Sequence, residues 1–273
     1  MKINLIASDL DGTLLAPDHV SVTPRTMSAL TKAHAMGVNI AISTGRTLSL
    51  IKDVAEKLPF IDYIIYSNGA GVFDCKTKET VFVQPVAKDK SDKIISLLDS
   101  LNVYYNVYAD GNIYLTPASD TGIFEKVDLP KAFLHRFLAT AVTVPDIKSE
   151  TRGKATEMLV VYFAPNEART AIMSLVDELG GLHTVSSFSD NIEIMSSVAS
   201  KGNAVKAICD IIGCTSANAM TFGDAWNDCS MLEFADHSFA MANGDEKCKL
   251  SAKSICPSNA QDGVAQMIEK YVI

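Results

Sequence analysis

The chain opens with an apolar run, "INLIAS", that stops at Asp9 and Asp11, and then alternates short apolar runs with stretches whose apolar residues recur every three or four positions. Short continuous apolar runs predict buried strands, and the 3.6-residue recurrence predicts amphipathic helices. "TPRTMSALTKAHAMG" reads as a helix with Thr23 as N-cap, Pro24 at its first position and Gly37 as terminator. "VNIAIST" is a second strand. "TLSLIKDVAEKL" is a second helix, with Leu48, Ile51, Val54 or Ala55, and Leu58 at helical spacing, and "DYIIYS" is a third strand. This β-α-β-α-β order predicts an α/β fold with a doubly wound, mostly parallel sheet whose ligands collect at the carboxyl ends of the strands. Asp9 and Thr44 fall at such ends.

From about residue 71 the pattern changes. "GVFDC" and "ETVFVQ" flank the turn "KTK", and "VYYNVYADGNIYLT" predicts a hairpin around Asp110 and Gly111. After "FSDNIEIM" the alternation resumes with the helix "KGNAVKAICDIIG", the strand "NAMTFGD", the helix "AWNDCSMLEFA", the short strand "HSFAMA" and the helix "DGVAQMIEKYV". The expected organisation is a core domain from residues 1–81 and 189–273, interrupted by an inserted α+β unit at 82–188.

Composition narrows the partners. The 273 residues are 48% apolar, enough to fill one large core or two ordinary ones, and 24 Lys plus Arg stand against 32 Asp plus Glu for a net charge of -8. No basic run is present to neutralise a nucleic-acid backbone, so nucleic acid is not an expected partner. "MKINLIAS" reaches Asp9 before a signal-peptide core develops, and no apolar stretch approaches the ~20 residues of a membrane span. A cytoplasmic protein with no membrane partner is expected, as a monomer or small homo-oligomer. Cys75, Cys209, Cys214, Cys229, Cys248 and Cys256 form no CxxC pair and are expected to be free thiols. The five histidines are scattered without ligand spacing.

Asp9 and Asp11 would share one face of an extended strand unless Gly12 already bends the chain. Two carboxylates so close imply a bound cation, a shared proton or a division of catalytic labour. Three further positions carry polar groups that an ordinary core would not choose: "STGR" at 43–46, Lys201 opening a helix, and "GDAWND" at 223–228. "STGR" places a hydroxyl and backbone N–H groups at a helix start, where a phosphate can be held. Asp228 follows Asp224 by one helical turn, and hard oxygen donors of this kind suit Mg2+. Each feature also has a plain local reading: a turn for DxD, a helix cap for Thr44, a solvated helix-start lysine for Lys201, a dipole-facing carboxylate for Asp228, and a simple turn for Asn68 and Gly69.

In this order "DLDGTLL", "STGR", Lys201 and "GDAWND" resemble the four motifs of the haloacid dehalogenase-like phosphatase superfamily. The long insertion, "SNGAGVF" at 67–73 and "DGVAQMI" near the end make the chain similar to its Cof-type sugar-phosphatase branch. The resemblance spans nearly the whole chain and implies a Rossmann-like core with a cap closing over it. It further implies an Mg2+-dependent phosphatase in which Asp9 attacks phosphorus to form an aspartyl phosphate, and Asp11 protonates the leaving alkoxide and later activates water. Mg2+ would sit on Asp9, the backbone carbonyl of Asp11, and Asp224. Thr44, Gly45, Lys201 and Asn227 would bind phosphate, Arg46 and Asn68 would contact substrate, and Asp228 would orient Lys201 or a metal-bound water.

The sequence departs from the family pattern at "SSVAS" before the lysine, at Trp226 inside GDxxND, and at "AMANGDEK", which leaves Asn243 without an assigned role. In the insertion, Tyr104, Tyr105, Tyr108, Asp190, Asn191 and Glu193 read equally as substrate contacts or as packing and turns. The expected substrate is a small phosphorylated metabolite, whether a sugar phosphate, another phosphorylated polyol, a nucleotide, flavin mononucleotide or pyridoxal phosphate. A phosphomutase with the same core and a non-catalytic phosphate sensor are the alternative readings, although an intact Asp11 argues against the sensor.

Overall fold

The computed structural model describes residues 2–122, 131–186 and 191–273, without the side chains of 53, 120–122 and 131–133. The chain divides into two compact units, one of residues Met1–Gly45, Val54–Phe82 and Ser200–Ile273, the other of Arg46–Asp53 and Val83–Ala199.

The first unit is built on strands β1 (Leu5–Asp9), β2 (Asn39–Ser43), β3 (Tyr63–Tyr66), β4 (Gly71–Asp74) and β5 (Glu79–Val83). The second holds β6 (Tyr104–Ala109), β7 (Asn112–Leu115), β8 (Val142–Thr143), β9 (Thr156–Tyr162), β10 (Leu182–Val185) and β11 (Asn191–Ser196). The chain then returns to the first with β12 (Ala219–Gly223), β13 (His237–Met241) and β14 (Ser254–Cys256). The first sheet has the order β14-β13-β12-β1-β2-β3-β4-β5. It is parallel from β14 to β3 and turns antiparallel at β4. The doubly wound, mostly parallel α/β sheet expected from the apolar pattern is thus present.

Its central strands are buried along their whole length, as β1 and β12 show, because helices cover both faces. Ala204, Val205, Ile208 and Cys209 of the helix Lys201–Ile212 pack with Leu5, Ala7, Ala41 and Ile65 on one face. On the other, Phe222 stacks on Phe239 at 5.4 Å and Phe239 meets Tyr271 of the helix Gly263–Tyr271 at 5.6 Å. The helix Pro24–Ala35 begins as its sequence predicts: Thr23 accepts from the Thr26 N–H and Pro24 takes the first position.

The second unit is a six-stranded sheet of order β10-β11-β9-β6-β7-β8, antiparallel except for β7 with β8. Tyr105, Val107, Leu159, Val161, Ile192 and Ile194 line one face of it and bury against Ile94, Ile95, Leu98, Ile172 and Val176, which belong to the helices Lys88–Leu101 and Asn166–Leu179. Asp110 and Gly111 make the predicted hairpin turn with φ of +46° and +73°.

The second boundary of the insertion differs from the expected residue 188. Asn191–Ser196 pairs antiparallel with Met158–Tyr162 and with β10, so those residues belong to the second sheet and the return to the core comes at Ser200. "NIEIM" alternates polar and apolar residues as an antiparallel strand does, whereas the parallel core strands are continuously apolar. Residues 46–53 also group with the second unit. Among the described residues no helix is long and apolar enough to cross a membrane.

Candidate active site

Three motifs converge because three neighbouring strands end together. In the order β12-β1-β2, Ser8 is in register with Phe222 and Asp9 with Ser43. Asp9 therefore closes β1, Thr44 follows β2 and Asp224 follows β12 at one edge of the sheet. Asp9 and Asp11 do not share an extended strand. The chain leaves the strand at Asp9 and coils through Leu10–Leu14, with Gly12 at φ +83° and the Leu15 N–H donating to the Leu10 carbonyl at 2.9 Å. A Cβ on Gly12 would overlap the Asp224 carboxylate.

Lys201 joins them from the helix Lys201–Ile212, which Ser200 caps by accepting from the Asn203 N–H at 3.1 Å. Its side chain is wholly buried, with Nζ 2.6 Å from Asp9 Oδ1 and 2.6 Å from Asp228 Oδ1. The other oxygen of Asp228 accepts from the backbone N–H groups of Asp224 at 2.9 Å and Ala225 at 3.0 Å. Both Asp228 oxygens are thus engaged in holding Lys201 and the Asp224 loop. Asp224 Oδ1 accepts from the Thr13 hydroxyl at 2.6 Å.

Burial pushes Asp9 well above the usual carboxylate range; Lys201 pulls it down, and Asp228, Asp224 and Asp11 raise it further. Burial also pushes Asp224 up to about 6, with the Thr13 hydrogen bond opposing and the Asp228 charge adding. Desolvation works against a charged Lys201, but Asp228 and Asp9 outweigh it and hold the ammonium above its ordinary value. One lysine among these carboxylates leaves an excess of negative charge. Carboxylate oxygens of Asp9, Asp224 and Asp228 lie within 4.8 Å of one another, an all-oxygen donor set suited to a hard divalent cation.

The phosphate-side candidates are also placed. Thr44 is buried, its N–H donating to the Ile65 carbonyl at 2.9 Å and its carbonyl accepting from the Asn68 N–H at 3.0 Å. Asn227 Nδ2 donates to Asn68 Oδ1 at 3.0 Å, and a Cβ on Gly45 would stand 2.9 Å from that same oxygen. Thr44, Gly45, Asn68 and Asn227 thus form one group. Arg46 is half-buried and groups with the second unit. Trp226 is 41% exposed, with Lys247 Nζ 4.4 Å from its ring centroid.

Two supporting residues were not legible beforehand. Thr13 lies within the DxDxT spacing, yet only the fold brings it to Asp224. Asn243 donates to the Gly12 carbonyl at 2.8 Å and accepts from the Asn259 N–H at 3.2 Å, tying the loop after Asp11 to the last part of the chain. Its neighbour Asp245 donates its N–H to the Asp224 carbonyl at 2.8 Å.

In the insertion, the Tyr105 hydroxyl donates to Asp99 at 2.5 Å, Asn191 Nδ2 donates to Glu193 at 2.9 Å, and Tyr108 is buried. Tyr104 is half-buried at the start of β6, and Asp190 lies outside the described residues. All six cysteines are free thiols.

The family model for haloacid dehalogenase-like hydrolases matches residues 6–268, nearly the whole chain. The chain belongs to that family. Among its relatives, this hydrolase is 29% identical to phosphatase YwpJ of Bacillus subtilis strain 168, over 98% of this chain and 99% of that one. It is 27% identical to pyridoxal phosphate phosphatase YbhA of Escherichia coli strain K12, over the full length of both. Its fold matches the solved structure of a haloacid dehalogenase-like hydrolase from B. subtilis with a TM-score of 0.83 at 26% identity, covering 99% of this chain and 100% of that one. The enzyme class expected from the motifs agrees with these relatives.

Proposed function

We propose that this hydrolase is an Mg2+-dependent phosphatase that cleaves small phosphate monoesters through an aspartyl phosphate on Asp9. The observation that carries this reading is the buried Asp9–Lys201–Asp228 chain of 2.6 Å contacts beside Asp224: a carboxylate at a strand end with one cation in contact and more negative charge than that cation offsets. Asp9, Asp224 and the backbone carbonyl of Asp11 would hold Mg2+. When bound, the ion neutralises carboxylate charge and polarises a phosphoryl oxygen.

The protein groups divide the work. Asp9 forms a bond to phosphorus as the ester P–O bond breaks, and Asp11 gives its proton to the leaving oxygen. In the second step Asp11 takes a proton from water as that water attacks phosphorus, which releases inorganic phosphate and restores the Asp9 carboxylate. Lys201 offsets charge on Asp9 and on the transferring phosphoryl group, while Thr44, Gly45 and Asn227 receive its oxygens. Asp228 keeps Lys201 aimed. The names of relatives that act on pyridoxal phosphate and on HMP-PP support a small phosphorylated metabolite as substrate.

Phosphate release from sugar phosphates, nucleotides, flavin mononucleotide and pyridoxal phosphate, with Mg2+ or EDTA, tests the reading. Turnover that requires Mg2+ and is lost in both Asp9→Asn and Asp11→Asn is the expected result. A folded wild type that releases phosphate from no member of the panel would overturn it.

A further inference from the structure

Ser67, Asn68 and Gly69 run consecutively through the left-handed region, at φ of +49°, +53° and +93°, and all three are buried. That conformation is unfavourable for residues with a side chain, and two of them in succession persist only where the surroundings over-determine the backbone. Contacts to three other segments do so. The Asn68 N–H donates to the Thr44 carbonyl at 3.0 Å. Asn68 Oδ1 accepts from Asn227 Nδ2 at 3.0 Å and faces Gly45, where a Cβ would approach it to 2.9 Å. Gly69 lies so close to Ser200 and Lys201 that a Cβ there would overlap the Ser200 carbonyl.

The segments that this turn touches are Thr44–Gly45, Asn227 and the start of the Lys201 helix, the three that the phosphatase reading assigns to the phosphoryl oxygens. We propose that Ser67–Asn68–Gly69 is a positioning turn, in which the Asn68 carboxamide oxygen spaces Thr44–Gly45 from Asn227 and so keeps the phosphate-receiving groups in register. Asparagine suits the task because it tolerates left-handed backbone while offering an acceptor. Asn68 then acts through its neighbours, whereas the family resemblance implied contact with substrate. The inference rests on the phosphatase reading for what the groups receive, and its test includes a measurement that needs no turnover.

Asn68→Gly keeps the backbone conformation and deletes the acceptor. Inorganic phosphate binding by calorimetry in the presence of Mg2+, melting temperature and steady-state kinetics on the best substrate of the panel are measured for wild type, Asn68→Gly, Asn227→Ala and the double variant. The expected result is a melting temperature near wild type, inorganic phosphate binding weaker by about tenfold and kcat/KM lower by roughly ten- to a hundredfold, the scale of a small misplacement. The double variant should lose no more than the worse single, as for residues that act as a unit. Wild-type phosphate binding in Asn68→Gly would overturn the proposal. So would losses that multiply in the double variant, or a KM change confined to one leaving group with phosphate binding intact. If wild type binds inorganic phosphate but hydrolyses nothing, the phosphatase reading fails while the binding comparison still decides the role of Asn68. A wild type that binds no inorganic phosphate overturns both.

Discussion

A lysine at the first position of a helix meets the positive end of the macrodipole and ordinarily reaches for solvent. Lys201 instead is wholly buried between Asp9 and Asp228, and removing one member of such a group leaves the others uncompensated. Lys201→Met is expected to abolish turnover and to cost about 3–5 kcal/mol in denaturant unfolding of the metal-free protein. Asp224 makes the pH dependence explicit. Its folded value of about 6 lies above the ordinary aspartate value, so its contribution to stability is full below the unfolded pKa and is lost as pH rises through the folded one. Metal-free protein should therefore lose stability from about pH 4 to pH 6, with Asp9 acting in the same direction. Because a cation needs the deprotonated carboxylates, the rise in melting temperature on adding Mg2+ should be small near pH 5, below the folded Asp224 value of about 6, and larger near pH 7.5, above it. A rise that shrinks with pH would contradict this account. At this scale the sequence singled out Asp9, Asp11, Asp224 and Lys201 as candidates, and the structure brings Asp9, Asp224 and Lys201 together. Thr13 and Asn243 stayed hidden because their partners, Asp224 and Gly12, are remote in sequence or are backbone atoms.

The elements divide into those that local chemistry explains and those that only packing explains. Thr23 begins the first helix as expected and also donates to Asp262 at 2.5 Å, at the start of the helix Gly263–Tyr271. Thr23→Ala should lower stability by about 0.5–2 kcal/mol, the range for a lost cap, while leaving kcat/KM unchanged, as thermal melts and kinetics on one preparation would show. Gly12 offers the contrast. Its φ of +83° and the Asp224 carboxylate in the place of a Cβ mean that Gly12→Ala should weaken Mg2+ activation strongly, read as a rightward shift in the Mg2+ titration of activity. The expected boundary at residue 188 separated β11 from the sheet it joins. "NIEIM" carries a period-two pattern consistent with a sheet open to polar groups on one face, but the choice between the two sheets depended on pairing with β9, which local sequence does not encode.

At the scale of the whole molecule, one hydrophobic core of the described residues gathers around Leu5, Ala7, Ile65 and Ile208, and another around Val107, Leu159, Val161 and Ile194. Leu159→Ala in the second should cost about 2–5 kcal/mol of stability while leaving the Mg2+ affinity of the Asp9–Asp224 site within about twofold, since that core includes none of the three carboxylates of the site. A loss of Mg2+ affinity comparable to that of Gly12→Ala would show the two to be coupled. The sequence alone determined the parallel α/β core, because continuous apolar runs between amphipathic helices have few stable arrangements, and it determined the chemical inventory, because carboxylates, a hydroxyl and a lysine at strand ends and helix starts need a common purpose. Tertiary structure decided the rest. It set which sheet receives residues 191–196, which oxygen of Asp228 holds Lys201, and how a left-handed turn at Ser67–Gly69 joins Thr44 to Asn227. Those outcomes depend on contacts between residues far apart in the chain, and such contacts leave no periodicity to read.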